Sequence, residues 1–167
     1  VARRQDGGNR AAAIEWREGS ADALPLESRS IDVVVCQFGM MFFTDRLAAL
    51  KEMRRVLTDG GRIVLVTWGP LDKCLGNAAM ARAWGKHFGR EQAAKFQVPH
   101  SLDDPKEIRR LMRDAGFGKV RARIEAGWAH FASVQALACS YGALSGLETD
   151  TLTRDAIIAD VTQSLKA

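Results

Sequence analysis

The chain has 167 residues, 47% of them hydrophobic and 26% charged, a balance that suits one globular domain and excludes a disordered or fibrous class. A net charge of +4 with dispersed arginines, and with no stripe of aromatic and basic residues, points away from nucleic acid. No apolar run approaches the roughly 20 residues that span a bilayer. Val1-Ala2-Arg3-Arg4-Gln5-Asp6 lacks the apolar centre of a signal peptide. Cys36, Cys74 and Cys139 are odd in number and far apart. They match neither a disulfide framework nor metal-ligand spacing, so the expectation is a reducing cytoplasm and no metal.

Residues 1 to 12 read as the end of a helix followed by a polar turn at Gly7-Gly8-Asn9. Ala13-Ile14-Glu15-Trp16-Arg17 alternates weakly and predicts a short strand. Gly19 to Leu26 reads as a loop, with Pro25 opposing a helix. Ile31-Asp32-Val33-Val34-Val35-Cys36 is a strand, and the aromatic and sulfur-rich turn Gln37 to Phe43 follows it. Leu47, Leu50, Val56 and Leu57 lie at helical spacing in the segment Thr44 to Leu57, and Gly60-Gly61 is expected to stop that helix. Ile63 to Trp68 is a second strand. Strand, crossover helix and strand make a parallel pair, and such continuous apolar runs predict strands buried on both faces. Ligands of such sheets bind at the carboxyl ends of the strands, here Cys36-Gln37-Phe38 and Trp68-Gly69-Pro70.

Residues 71 to 98 carry helical signals, with Asn77 as an N-cap and Met80, Trp84, His87 and Phe88 as an apolar stripe. The segment is expected either to cap the binding crevice or to be an ordinary crossover. Asp104-Pro105-Lys106-Glu107 is a helix start with a capping box, Ile108, Leu111, Met112 and Ala115 fill one helical face, and Gly116 ends the helix. Arg109, Arg110 and Arg113 lie on its polar side. Lys119 to Glu125 alternates cleanly and predicts a sheet-edge strand. Ser133 caps a helix carrying Val134, Leu137, Ala138 and Tyr141. A last helix from about Thr151 carries Leu152, Ile158, Val161 and Leu165.

In that order, the segments resemble the class I S-adenosylmethionine-dependent methyltransferases, and within them the small-molecule branch of ubiquinone and menaquinone biosynthesis. Gly19-Ser20-Ala21-Asp22-Ala23-Leu24-Pro25 resembles the family's loop after its third strand. Ser30 to Phe42 resembles its fourth strand and turn. Leu50 to Arg62 resembles its next helix and Gly-Gly turn, and Ala115-Gly116-Phe117 is a weaker echo further on. The resemblance implies an α/β fold: a Rossmann-like, mostly parallel sheet flanked by helices. Residues 1–167 would form a single, partial methyltransferase domain, with 71–98 as its helical cap.

The resemblance also implies S-adenosylmethionine as cofactor and a small-molecule acceptor. Ser20 and Ala21 would border the adenine, Cys36 and Gln37 would meet the amino-acid part of the cofactor, and Phe38 and Met41 would wall the crevice. The family has an Asp where Ser20 stands. Its Gly-rich loop, the acid ending its second strand and its final strand have no counterpart here, so the expectation is a chain clipped at both ends. Only one strand pair would then be contiguous, and open strand edges would invite self-association. In-line methyl transfer depends on positioning and exclusion of water, so no catalytic dyad is required and none is visible. His87, His100 and His130 are scattered, and each reads as structural or superficial. Two other readings stay open: a non-catalytic methyltransferase-like module or truncated relic, and a nicotinamide-dependent dehydrogenase. The ordered match argues against the dehydrogenase.

Overall fold

A computed structural model describes residues 14–145 and 150–166, the side chains of 141–145 excepted. The reading of residues 1 to 12 as a helix end and of Tyr141 as a packed side chain lies outside this part.

Two parallel strands, β1 (Ile31–Gln37) and β2 (Leu57–Val66), are joined by helix α1 (Arg46–Val56). The Asp45 carboxylate accepts a 2.8 Å hydrogen bond from Ala48 N–H and so fixes where α1 begins. Ala49, Leu50, Met53 and Val56 recur at helical spacing and are buried. α1 does not run on to Gly60-Gly61. Leu57 takes extended dihedrals, and the glycines lie inside β2. Ile31 pairs with Leu57, but Val33 already pairs with Arg62, so β2 loops out between the two. Gly60, at φ +84°, makes that excursion. A Cβ on Gly61 would meet the Thr58 carbonyl at 3.0 Å and the Asp32 carbonyl at 3.2 Å.

Side chains alternate across the pair. Val34, Cys36, Ile63 and Leu65 face a core shared with Leu50 and Met53 of α1 and with Leu111 and Met112 of α4 (Pro105–Asp114). The other face is open: Val33, Val35, Val64 and Val66 are 47%, 64%, 48% and 36% exposed. The expectation of strands buried on both faces is therefore not met. Parallel strands bury both faces only when helices flank both, and among the described residues α1 and α4 lie on one side. The two further predicted strands, residues 14–17 and 119–125, do not form a ladder among the described residues, and Ile14 and Ile124 stay exposed.

A second core forms where α2 (Leu75–Phe88) packs against α3 (Arg90–Ala94), the 3-10 segment Lys95–His100, α5 (Val134–Ser145) and α6 (Thr151–Lys166). Met80 and Trp84 are buried there and Phe88 packs beside them, as their spacing predicts. Asn77 is not a cap, because α2 begins two residues earlier, at Leu75. On α6, Ile157 and Val161 are buried, while Leu152 and Leu165 are exposed, against expectation. Asp160 clasps α6 to α2 through Lys86 Nζ and His87 Nε2, each at 2.7 Å, and these bonds hold its carboxyl below the usual range. The predicted cap residues of α4 and α5 act as caps, Asp104 accepting from Lys106 N–H and Ser133 from Ala136 N–H, while Glu107 faces Arg46 at 3.8 Å instead of closing the predicted capping box. Gly116, at φ +92°, closes α4, with Phe117 N–H bonding back to Met112 and Gly116 N–H to Arg113.

Leu50→Ala is expected to lower the unfolding free energy in urea by about 3 kcal/mol, because Leu50 is fully enclosed. Val35→Thr on the open face is expected to change it by under about 0.5 kcal/mol.

Candidate functional site

Because β1 and β2 are parallel and end in register at Gln37 and Val66, both chain exits leave the sheet at one end. Phe38 N–H donates to the Val66 carbonyl at 2.8 Å and ties the exits together. Phe38 then turns through φ +52°, a left-handed conformation that costs a non-glycine residue about 1–2 kcal/mol. Its ring stacks on Trp68 at 4.6 Å and 19°. Such a pair contributes about 0.5–1.5 kcal/mol beyond its buried area, enough to offset much of the strain. The next turn is tight: a Cβ on Gly39 would stand 3.3 Å from Cys36 Sγ. Met40 and Met41 follow, both buried.

Of the residues expected to meet a cofactor, Cys36, Phe38 and Met41 share the first core, with Cys36 packed as a small apolar side chain. Gln37 is exposed at the strand end, and its amide is the polar group nearest the exits along β1. Ser20 and Ala21 lie on a separate loop closed by a bridge between Ser20 and Ala23. That loop reaches the same core through Leu24. Glu52 of α1 accepts from Leu24 N–H at 3.1 Å and from the two nitrogens of the Arg55 fork at 2.8 and 2.9 Å, while Arg55 donates onward to the Leu24 carbonyl. The loop is thereby fastened to the helix that follows the strand exit.

The Ser20 hydroxyl donates to the Asp22 carboxylate. A negative group thus stands beside Ser20. The Gly-Ser-Ala-Asp spacing was the available signal. The side chains suited to a cofactor thus fall in two places: a hydroxyl and a carboxylate on the loop, and the Gln37 amide with Phe38, Met41 and Trp68 at the exits. Among the described residues no cluster of His, Cys, Asp or Glu could hold a metal.

A cavity of about 480 Å³ lies at the start of β1, lined by Gly19, Leu24 and Pro25 of the Ser20 loop together with Trp16 and Ile31. The length of that strand puts it about 20 Å from the exits. Of the histidines, His130 is exposed and His87 holds Asp160. His100 is buried, with its ring 6.1 Å from Trp68.

Residues 1–65 match the methyltransferase domain family. The chain is 34% identical over 125 residues to a demethylmenaquinone methyltransferase of Deinococcus radiodurans, an alignment covering 68% of this chain and 52% of that protein. It is 31% identical over 137 residues to a ubiquinone/menaquinone biosynthesis C-methyltransferase of a Caulobacter species, covering 71% and 54%. A demethylmenaquinone methyltransferase of Lactococcus lactis is 33% identical over 133 residues, covering 72% and 53%. The chain thus spans about half the length of these relatives. No solved structure matches it.

The Arg55 fork, helped by Leu24 N–H, holds the Glu52 carboxyl below its ordinary value. A carboxyl lowered on folding stabilises fully above its unfolded pKa and ceases to do so as pH falls through the folded one. Glu52→Gln is therefore expected to lower the melting temperature near neutral pH, with the gap to wild type closing below the usual glutamate range. Thermal unfolding from about pH 7 to about pH 3 checks this.

Proposed function

Since the chain belongs to the class I S-adenosylmethionine-dependent methyltransferases, we propose that it takes part in methyl transfer from S-adenosylmethionine to a small, largely apolar acceptor. The observation that carries this reading is the parallel β1–β2 pair whose two exits meet in the Phe38–Trp68 stack, the crevice position at which open α/β sheets take ligands. S-adenosylmethionine, when bound, supplies a methyl group on a sulfonium, open to in-line displacement by the acceptor with a neutral thioether leaving. Asp22, oriented by Ser20, accepts from the adenine amino group, and Ala21 borders the ring. Gln37, beside Cys36, meets the amino-acid end. Phe38 and Met41 wall off water, which favours a reaction that rests on positioning. The segment 71–98 covers the crevice. Three free cysteines suit a reducing cytoplasm.

The names of the relatives make a short-chain demethylmenaquinone the first acceptor to try. A non-catalytic module with a structural or interaction role is the alternative, and the open valine face of the sheet is the observation in its favour.

Isothermal titration with S-adenosylmethionine, on this chain and on a form extended at both ends, separates the readings. Binding by the extended form is the expected result, and Asp22→Asn is expected to weaken it about tenfold, the loss of one charge-assisted hydrogen bond. Binding by neither form would leave the non-catalytic module.

A further inference from the structure

Among the described residues His100 is the buried polar side chain, 3% exposed. It ends the 3-10 segment Lys95–His100 that follows α3. Both of its ring nitrogens are engaged. Nδ1 lies 2.5 Å from the carbonyl oxygen of Gly69, at the exit of β2. A carbonyl can only accept, so Nδ1 carries the proton. Nε2 lies 2.9 Å from the Asn77 amide nitrogen on α2 and accepts from it. The ring also faces Trp68, which stacks on Phe38, so three aromatic rings stand in a row across the two strand exits.

The next residue fastens the other side. Ser101 Oγ accepts a 2.7 Å bond from Arg46 Nη2, and Arg46 also donates to the carbonyls of Ser101 and Met41, each at 3.3 Å. Residues 100 and 101 therefore join α2, the exit of β2, α1 and the Met41 turn.

We propose that His100 is a positioning residue for the transfer reaction, an imidazole that carries a proton on Nδ1 and pins the helical segment 71–98 to the strand exits, setting the angle of the Phe38–Trp68 wall. The proposal rests on the methyltransferase reading in one respect: the wall it sets is the one the acceptor would lie against. A near-attack geometry has reacting atoms about 3–3.5 Å apart, so a small shift of that wall costs rate.

Three observations test it. Long-range nitrogen-15 correlation spectra of the histidine ring in the wild-type protein should show a pyrrole-type Nδ1 and a pyridine-type Nε2 for His100. The opposite tautomer would overturn the proposal. Transfer kinetics follow, in a form that binds S-adenosylmethionine, with the short-chain demethylmenaquinone as probe. His100→Phe keeps the ring volume and loses both bonds. It should lower kcat/KM for the probe about tenfold, with a much smaller change in the Kd for S-adenosylmethionine. His100→Asn keeps a donor that can reach Gly69 and should recover most of the loss. Should His100→Phe fail to fold, Asn77→Ala removes one bond alone and should lower kcat/KM about threefold. A loss of melting temperature with unchanged kcat/KM sinks the positioning role while leaving the methyltransferase reading intact. A wild-type protein that transfers no methyl group sinks both.

Discussion

Everything described here hangs on one arrangement: a helix burying a single stripe against a single face of two parallel strands. Ala49, Leu50, Met53 and Val56 recur every three or four residues, while Val34, Cys36, Ile63 and Leu65 recur every second residue. These two periods meet on one plane, and α4 adds Leu111 and Met112 to it. Because the strands run the same way, the helix has to carry the chain back along the sheet, and both strands then finish at the same end. The candidate site is a product of that geometry. The Phe38–Trp68 stack exists because the two exits are neighbours, and the strained turn at Phe38 is held by the stack and by its bond to Val66.

Two polar devices then fix what apolar burial leaves loose. Burial has no direction, so it cannot by itself seat a loop or set the angle of a ring. The Glu52 carboxylate does the first by accepting from Leu24 N–H and the Arg55 fork together. The His100 imidazole does the second through Gly69 and Asn77. Both sit at junctions between elements distant in sequence, and each uses more than one hydrogen-bonding group of one side chain.

The sequence made the local grammar legible. Asp104, Pro105 and Gly116 bound α4, Ser133 opens α5, and β1–α1–β2 stands close to where the hydrophobic periods put it. Misses follow from non-local causes. Residues 14–17 and 119–125 have strand patterns, but a strand is defined by its partner, and among the described residues these segments have none. Gly60-Gly61 looked like a helix stop because glycines after a helix usually are. Here Leu57 ends the helix first, and the glycines serve an excursion within β2. Asn77 looked like a cap, and it binds a histidine 23 residues on. The clasp from His87 to Asp160 spans 73 residues and left no spacing to read. Asp22 was in view within its motif, yet only the bond from Ser20 shows its carboxylate beside the position where the family carries its acid. The resemblance itself was legible in three ordered stretches, and the methyltransferase relatives agree with it.

The open valine face has a thermodynamic consequence. The heat capacity released on unfolding comes mainly from apolar surface that was dry in the folded state. Val33, Val35, Val64 and Val66 are already wet, so they add little to it. The described chain should therefore have a flatter stability curve and a shallower denaturant slope than a domain of its size whose sheet is covered on both sides. Anything that covered those four valines would steepen both at once.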